Sequence, residues 1–258
     1  MAMLPPPDRS RGLFETLLVL GERPVELEAH LGRLANSAQE LFGAGLPADL
    51  PDRVREHARG VELGRMRVTL DPGSSKATLE GEAVDPAAFF PGPERAATLR
   101  SLPGRGGLGR HKWADRRRLQ EAAGGPVSLV LDGDEVLEAG RANVFVAHEG
   151  VLKTPAADGR ILPGIARAGA IAAAREAGIE VTEGQLDRSE LLAAEEVFLT
   201  GSVRGVEPAG SLDGASLPGA GALSRQVAAG LLRRWRRDPS SDAAPAPAAA
   251  PRPGQLVR

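Results

Sequence analysis

The chain has 258 residues, enough for one large domain or two ordinary ones, and its 42% hydrophobic and 26% charged residues are typical of a globular protein. A net charge of −2 provides no basic excess for nucleic acid or an anionic membrane, and the lack of cysteine excludes disulfides, thiol catalysis and cysteine-bound metals. The four histidines show no metal-ligand spacing, no apolar run reaches the roughly 18 residues of a membrane-spanning helix, and the first residues lack a signal-peptide pattern. We therefore expect a soluble, cytoplasmic protein without a metal site.

The first hundred residues predict a mixed unit of strands and helices. In the strongest helix, apolar residues recur every three or four positions and form one buried stripe. His30, Arg33 and Ser37 fall together on a neighbouring flank of that helix, although an exposed helical arginine is the plainer interpretation of Arg33. We predict strands at 12–20, 65–70, 77–79 and 96–102, and helices at 26–42 and 50–60.

A glycine-rich segment divides the chain. Residues 103–110 contain four glycines and show no apolar periodicity, so we expect an interdomain loop there. Residues 1–102 would then form a small N-terminal α/β domain, and residues 111–237 a larger C-terminal domain. Residues 238–258 are rich in proline and alanine, and we expect this tail to be disordered and dispensable.

The second half alternates between strands and helices. An alanine-rich helix begins after Gly164 and is closed by Gly178. A turn at 133–134 separates two apolar segments, which is typical of a hairpin. We predict strands at 126–132, 135–139, 142–147, 151–154, 179–181, 196–200 and 206–209, and helices at 113–123, 165–177, 189–194 and 222–237. The alternation predicts an α/β fold.

Lys112 is unusual because the chain contains only three lysines, at positions 76, 112 and 153, among 32 lysines and arginines. Arginine cannot replace an amine that must lose its proton. Several arginines flank Lys112, and neighbouring cations lower the pKa of an amine. The position therefore indicates an amine nucleophile. An ordinary surface lysine is an equally good interpretation of the composition alone.

Three further features would suit an anionic cofactor. Glu138 lies between two predicted strands, where a buried carboxylate needs a positive partner unless it faces water at a sheet edge. Gly164 stands at the start of a helix, whose free amides and dipole attract an anion. The sequence Thr-Gly-Ser at 200–202 forms a second potential cradle, although each cradle alone is more often a plain cap or turn. Together with Lys112 and Arg33, these features indicate a phosphorylated aldehyde cofactor.

A series of motifs shares its order and spacing with one enzyme class. The motifs are GLFETLLV (12–19), HLGRL (30–34), HKWADR (111–116), VLEAGRANVFV (136–146), LKTP (152–155), ILPGIAR (161–167) and EVFLTGS (196–202). On these motifs the chain resembles the fold type IV pyridoxal-phosphate enzymes, which include branched-chain aminotransferases, D-amino-acid aminotransferases and aminodeoxychorismate lyases. The resemblance implies a homodimer of two-domain α/β subunits, each with a small N-terminal domain and a larger, cofactor-binding C-terminal pseudo-barrel.

The resemblance also implies roles for individual residues. Lys112 would bond covalently to pyridoxal 5'-phosphate and carry protons, and Glu138 would pair with the protonated pyridine nitrogen, which keeps the ring an electron sink. Leu162 would lie against the ring. The phosphate end would contact Arg33, Gly164, the amides of Ile165 and Ala166, Gly201 and Ser202, and the small-molecule substrate would contact Thr16, Arg116 and Val203.

The chain departs from the family pattern in three places. Ala166 stands where the family usually has threonine, so it offers only its amide. A strand that normally precedes the first motif is absent or replaced. The lyases often carry Arg-Gly on a loop for a substrate carboxylate, and the turn at 71–73 stands there instead. The alternatives for that contact are Arg65, Arg67 and Lys76.

The absence of tyrosine favours one branch of the class. Branched-chain and D-amino-acid aminotransferases use active-site tyrosines, whereas the lyases tend to carry an arginine shortly after the lysine, as Arg116 does here. The chain is also short, as the lyases are. We therefore expect a lyase that converts 4-amino-4-deoxychorismate to 4-aminobenzoate and pyruvate for folate synthesis.

Two alternatives stay open at this stage. A class IV aminotransferase acting on a branched-chain, D- or other small amino acid would use the same cofactor site. A nucleic-acid-binding module is suggested by the arginine runs at 116–118 and 233–237, but the net charge disfavours it, and both runs are better explained as solvated helix faces.

Overall fold

The computed structural model describes residues 4–72, 76–119 and 124–237, and two sheets organise this part of the chain. Its strands are β1 (Leu13–Leu20), β2 (Arg23–Pro24), β3 (Leu63–Leu70), β4 (Ala77–Ala83), β5 (Ala97–Pro103), β6 (Val127–Asp132), β7 (Glu135–Ala139), β8 (Asn143–His148), β9 (Val151–Pro155), β10 (Val181–Gly184), β11 (Glu196–Gly201), β12 (Gly205–Leu212) and β13 (Ala215–Ser216). Its α-helices are α1 (Leu27–Phe42), α2 (Leu50–Ala58), α3 (Ile165–Glu176), α4 (Arg188–Ala193) and α5 (Ala222–Arg236).

The smaller sheet is antiparallel and has the order β2–β1–β3–β4. Side chains alternate across β3, so Met66 and Val68 are buried in one apolar cluster with α1 and α2. The same alternation places Arg65 and Arg67 on the opposite face of the strand. The helix α1 ends at Gly43, whose φ of 63° is the left-handed conformation that favours glycine.

The larger sheet is mixed and has the order β10–β9–β8–β11–β12–β5–β6–β7, with β13 paired to β12. Its central strands are buried along almost their whole length, because helices α3 and α5 cover one face and a second apolar cluster lies on the other. The stacked rings of Phe145 and Phe198, with centroids 5.1 Å apart, lie on the helix side. The predicted α/β class, with a small N-terminal unit and a larger C-terminal one, is confirmed.

The helix predicted at 113–123 is wrong in the part that the structure describes. Residues at its start run extended beside β1 instead. Phe14 N–H donates to Lys112 O at 3.0 Å, and Ala114 N–H donates to the carbonyl of Gly12 at the same distance. Pairing with a strand edge therefore overrides the helical propensity of the segment, and only a short 3-10 turn follows.

Two strands also differ from expectation. The strand β5 pairs with β12 and β6 of the larger sheet, so the chain changes sheets before the glycine-rich loop at 103–110. The strand expected at 179–181 begins at Val181, because Ile179 N–H donates to Ala174 O at 2.9 Å and closes α3. Outside the described residues lie Gly73 of the predicted turn, the end of the predicted helix at 120–123, and the tail at 238–258.

We expect Gly12→Ala to destabilise the fold more than Gly21→Ala. Both glycines have a positive φ, 74° and 56°, which costs an alanine about 1–3 kcal/mol, and the ψ of −158° at Gly12 is open essentially to glycine alone. A Cβ at position 12 would lie 2.1 Å from Leu70 O, whereas a Cβ at position 21 meets nothing within 4 Å. The clash should add about 1–3 kcal/mol at position 12. Denaturant unfolding measures the difference, and equal losses of unfolding free energy in the two variants would contradict it.

Candidate functional site

A cavity of about 540 Å³ is lined by residues from both sheets and from the loops beside them. The residues predicted from the sequence all line it. They are Thr16, Arg33, Lys112, Arg116, Glu138, Leu162, Gly164, Ile165, Ala166, Gly201, Ser202 and Val203. The structure therefore brings these residues together around one space, while the role of each stays a prediction.

Lys112 reaches the cavity from the extended segment beside β1, and its side chain is 17% exposed. Burial lowers the pKa of this amine to about 8; the Glu15 carboxylate opposes that effect and nearby arginines add to it. About a tenth of such an amine is neutral at pH 7. Lys112 can therefore act as a nucleophile or accept a proton near neutral pH.

Glu138 lies in β7 at the cavity wall and is 4% exposed. Its two oxygens accept the Leu162 N–H at 3.3 and 3.2 Å. Burial raises the pKa of this carboxyl to about 8, despite that hydrogen bond and the positive charges of Arg116, Lys112 and Arg33. A buried carboxyl of this kind ionises when a cation binds beside it, so the position suits a protonated ring nitrogen.

Glu15 is a site residue that was not predicted. It is 1% exposed and accepts hydrogen bonds from His30 Nδ1 and from Nε and Nη2 of Arg33, each at 2.8 Å. Burial opposes its ionisation, but these hydrogen bonds and the charge of Lys112 outweigh burial and hold the pKa of Glu15 well below its usual range. The sequence offers one sign of this role, because Glu15 is a carboxylate on an otherwise apolar face of β1.

Arg33 links this network to the start of α3. Its remaining terminal nitrogen, Nη1, donates to Pro163 O at 2.7 Å, and the guanidinium keeps further N–H groups for an anion. The helix begins at Ile165, and the N-cap residue Gly164 makes no side-chain hydrogen bond. The first-turn amides therefore have no partner within the helix, and together with Arg33 they can cradle a phosphate.

Asn143 shapes the loop before α3 and was also not predicted. Its Nδ2 donates to Leu162 O at 3.0 Å, which ties β8 to that loop. A Cβ at Gly164 would lie 2.0 Å from Asn143 Oδ1, so a larger residue there would force the asparagine side chain to move. A single asparagine in a strand motif gives no readable sign of this role in the sequence.

The turn between β11 and β12 forms a second cradle. Gly201 and Ser202 line the cavity there, and Thr200 Oγ1 is buried without a hydrogen-bond partner among the described residues. A buried hydroxyl without a partner is costly, and a phosphate oxygen would satisfy it. Glu207, on β12, accepts two hydrogen bonds from Arg141, each at 2.8 Å, and this ion pair holds β12 in place beside the turn.

Positive side chains surround the ring of Phe14 on the wall formed by β1 and its neighbours. Measured to the ring centroid, they are Arg67 Cζ at 4.0 Å, Lys112 Nζ at 5.1 Å and Arg116 Cζ at 5.8 Å. Arg116 also donates to the carbonyl of Gly140. Because guanidinium groups pair well with carboxylates, this wall suits an acidic substrate.

The donor set fits pyridoxal phosphate better than a metal ion. A buried amine, a buried carboxyl and two phosphate-type cradles line the same cavity. Within residues 4–72, 76–119 and 124–237, no group of three or more His, Cys, Asp or Glu side chains could hold a metal. In the same part of the chain, no helix combines the length and apolarity needed to cross a bilayer.

Comparison with known proteins identifies one family. A family described as "Amino-transferase class IV" matches residues 12–212. A stretch of 102 residues is 41% identical to the branched-chain amino acid aminotransferase 2, chloroplastic, of Humulus lupulus, and it covers 37% of this chain and 25% of that protein. The chain therefore matches about a quarter of that relative's length.

Two solved structures share the fold over most of their length. The 4-amino-4-deoxychorismate lyase from Pseudomonas aeruginosa is 27% identical, with a TM-score of 0.68 and coverage of 90% of this chain and 96% of that one. A putative branched-chain amino acid aminotransferase from Thermotoga maritima is 23% identical, with a TM-score of 0.72 and coverage of 86% and 85%. At 23% identity, the comparison with the Thermotoga maritima protein shows a shared fold only.

We expect Glu138→Gln to change how the stability of the cofactor-free protein depends on pH. Burial raises the pKa of Glu138 from 4.5 to about 8, so its stabilising contribution is full below about pH 4.5 and is lost as the pH rises to about 8. The slope is at most about 1.4 kcal/mol per pH unit. Denaturant unfolding between about pH 5 and pH 8 should show wild type losing unfolding free energy relative to the variant. Parallel pH curves would contradict this expectation.

Proposed function

Since the chain belongs to the class IV aminotransferase family, whose cofactor is pyridoxal phosphate, we propose that it is a lyase acting on 4-amino-4-deoxychorismate. The products are 4-aminobenzoate and pyruvate. The observation that carries this choice within the family is the complete absence of tyrosine.

The two cradles would bind the phosphate end of the cofactor. Arg33 and the amides of Ile165 and Ala166 would form one cradle, and the turn with Gly201 and Ser202 the other. Charge-assisted hydrogen bonds from a guanidinium and from free helix amides are strong ligands for a phosphate. Ala166 contributes its amide only, so the hydroxyls of the second cradle supply the remaining contacts.

Glu138 and Lys112 would carry the chemistry. When bound, pyridoxal phosphate supplies an aldehyde carbon that amines attack and a ring that withdraws electrons. Glu138 would hold a proton on the ring nitrogen, and Leu162, whose N–H contacts that carboxylate, would lie against the ring. Lys112 would hold the cofactor through its aldehyde carbon, and its amine, once free, would remove a proton from the substrate ring as general base. The carbon–oxygen bond to the enolpyruvyl group breaks, the released group gains a proton to become pyruvate, and the ring becomes aromatic.

Two features of the site support a lyase. Arg116 lies beside Lys112 and the Phe14 ring, in the region where the related aminotransferases use tyrosine. The proposed substrate carries two carboxylates, and the arginines at 65 and 67 on the cavity wall would bind them. Arg65 is already paired with Glu82 at 3.1 Å, so Arg67 is the better ligand of the two.

An aminotransferase is the second candidate. The observation in its favour is that named sequence relatives, such as the Humulus lupulus protein, are branched-chain aminotransferases, although the matched stretch covers 25% of that protein. Such an enzyme would use the same cofactor site. It would also need to hold the cofactor stably in its aminated form between two half-reactions, which a lyase does not.

We expect borohydride reduction of the cofactor-loaded protein to attach a pyridoxyl group to Lys112. This amine lines the cavity with a pKa of about 8, whereas Lys153 is paired with Glu190 at 2.5 Å. Peptide mass spectrometry locates the adduct, and Lys112→Ala is the matched control, which should show neither adduct nor activity. An adduct on Lys76 or Lys153 would refute the assignment.

With 4-amino-4-deoxychorismate alone, the enzyme should release pyruvate and 4-aminobenzoate in equal amounts without any keto acid. Elimination returns the cofactor to its starting form in each turnover, so no acceptor is needed. Product assays measure this directly, and a single-turnover absorbance experiment with a simple amino acid tests the alternative. If the colour bleaches with the amino acid and returns with a keto acid at a useful rate, while aminodeoxychorismate is left untouched, the protein is an aminotransferase.

A further inference from the structure

We propose that Glu15 is a positioning residue that keeps a proton available on Lys112. The inference rests on the role proposed above for Lys112, because it explains how that amine can both lose and regain a proton. Glu15 lies in β1, next to the strand positions that hold the backbone of the lysine segment.

The Glu15 carboxylate is fully enclosed, and both of its oxygens have defined partners. Oε1 accepts from Arg33 Nε at 2.8 Å, and Oε2 accepts from Arg33 Nη2 and from His30 Nδ1, each at 2.8 Å. Lys112 Nζ lies 3.9 Å from Oε2. A carboxylate held this firmly keeps its charge at a fixed distance from the amine.

His30 holds the carboxylate as a neutral donor. It is 1% exposed, and burial lowers its pKa, so the imidazole is uncharged near neutral pH. A neutral histidine can donate through Nδ1 without adding a positive charge. The cations that balance the negative charge of Glu15 are therefore Arg33 and Lys112.

Arg33 fixes the other side of the carboxylate. Its two parallel hydrogen bonds to Glu15 form a bidentate pair, and its third nitrogen donates to Pro163 O at 2.7 Å. This arrangement prevents the carboxylate from rotating away from the amine. It also orients the guanidinium toward the start of α3.

The charged groups around Lys112 come from every element that packs against it. They are Glu15 on β1, Arg33 on α1, Arg67 on β3, Arg116 on its own segment and Glu138 on β7. Three of these groups are cations, which disfavour a proton on the amine. Burial keeps Glu138 protonated near neutral pH, so Glu15 is the carboxylate that offsets the cations.

The charge of Glu15 decides how readily Lys112 can take up and release a proton. A group that takes up and returns a proton works best when its pKa lies near the working pH. Burial and three arginines alone would lower the pKa of Lys112 further and leave less of the amine protonated near neutral pH. With Glu15 beside it, the amine keeps a pKa of about 8 and can serve in both directions.

The test is the pH dependence of Lys112 acylation in the cofactor-free, full-length protein. Brief treatment with acetic anhydride at pH values from about 5 to 10, followed by mass spectrometry of the Lys112 peptide, gives the pKa of that amine. In Glu15→Gln, this pKa should fall by about 1–3. The matched control is Glu40→Gln, which removes a carboxylate paired with Arg110 and His111 just before Lys112 and should leave the pKa unchanged.

Two more variants test whether the pKa of Lys112 depends on the charges around it. Glu15→Asp retains the charge and should recover most of the wild-type pKa, whereas Arg33→Gln removes a cation and should raise the pKa of Lys112. An unchanged pKa in folded Glu15→Gln would overturn the proposal. If Glu15→Gln does not fold, Glu15→Asp decides: its shorter side chain draws the charge back from Lys112, and a pKa of Lys112 that does not fall below the wild-type value would overturn the proposal. Acylation needs neither cofactor nor substrate, so this result is independent of the lyase and borohydride tests.

Discussion

The ion pair between Glu15 and Arg33 is the interaction on which the rest of the site depends. It joins β1 to α1 through two hydrogen bonds of 2.8 Å, and Arg33 extends it to Pro163 O, just before α3. One side chain therefore connects the smaller sheet to the helix start that would hold a phosphate. Removing one partner of a buried ion pair typically costs about 3–5 kcal/mol, because the other charge is left buried and unpaired. The same strand, β1, also holds the backbone of Lys112.

Burial acts in opposite directions on the two groups that would react with the cofactor. It lowers the pKa of the Lys112 amine to about 8 and raises the pKa of the Glu138 carboxyl to about 8. Near pH 7 Glu138 is therefore mostly neutral, and about a tenth of Lys112 is neutral as well. A suitable ligand would bring an electrophilic carbon for Lys112 and a basic ring nitrogen for Glu138. Its anionic phosphate would bind the two cradles. The site is thus matched to a ligand with charge at both ends.

The motif-bearing residues could be predicted from the sequence, whereas the residues that hold them in place could not. Lys112 and Glu138 can be singled out because their chemistry is uncommon at such positions and because both fall in motifs shared with a known family, and both line the cavity. Asn143 and Glu15 act through contacts with chain segments distant in sequence, which periodicity does not show. The helix predicted at 113–123 failed for the same reason, because pairing with β1 decides the conformation of the segment.

A crystal structure of the protein with pyridoxal phosphate tests the central claim most directly. That claim is that Lys112 and Glu138 bind the reactive ring of the cofactor while Arg33 and the start of α3 bind its phosphate. The expected result is continuous density between the cofactor and Lys112, with the ring nitrogen beside Glu138 and the phosphate between Arg33 and the start of α3. A phosphate bound instead at Arg67, with the ring nitrogen directed away from Glu138, would contradict the account.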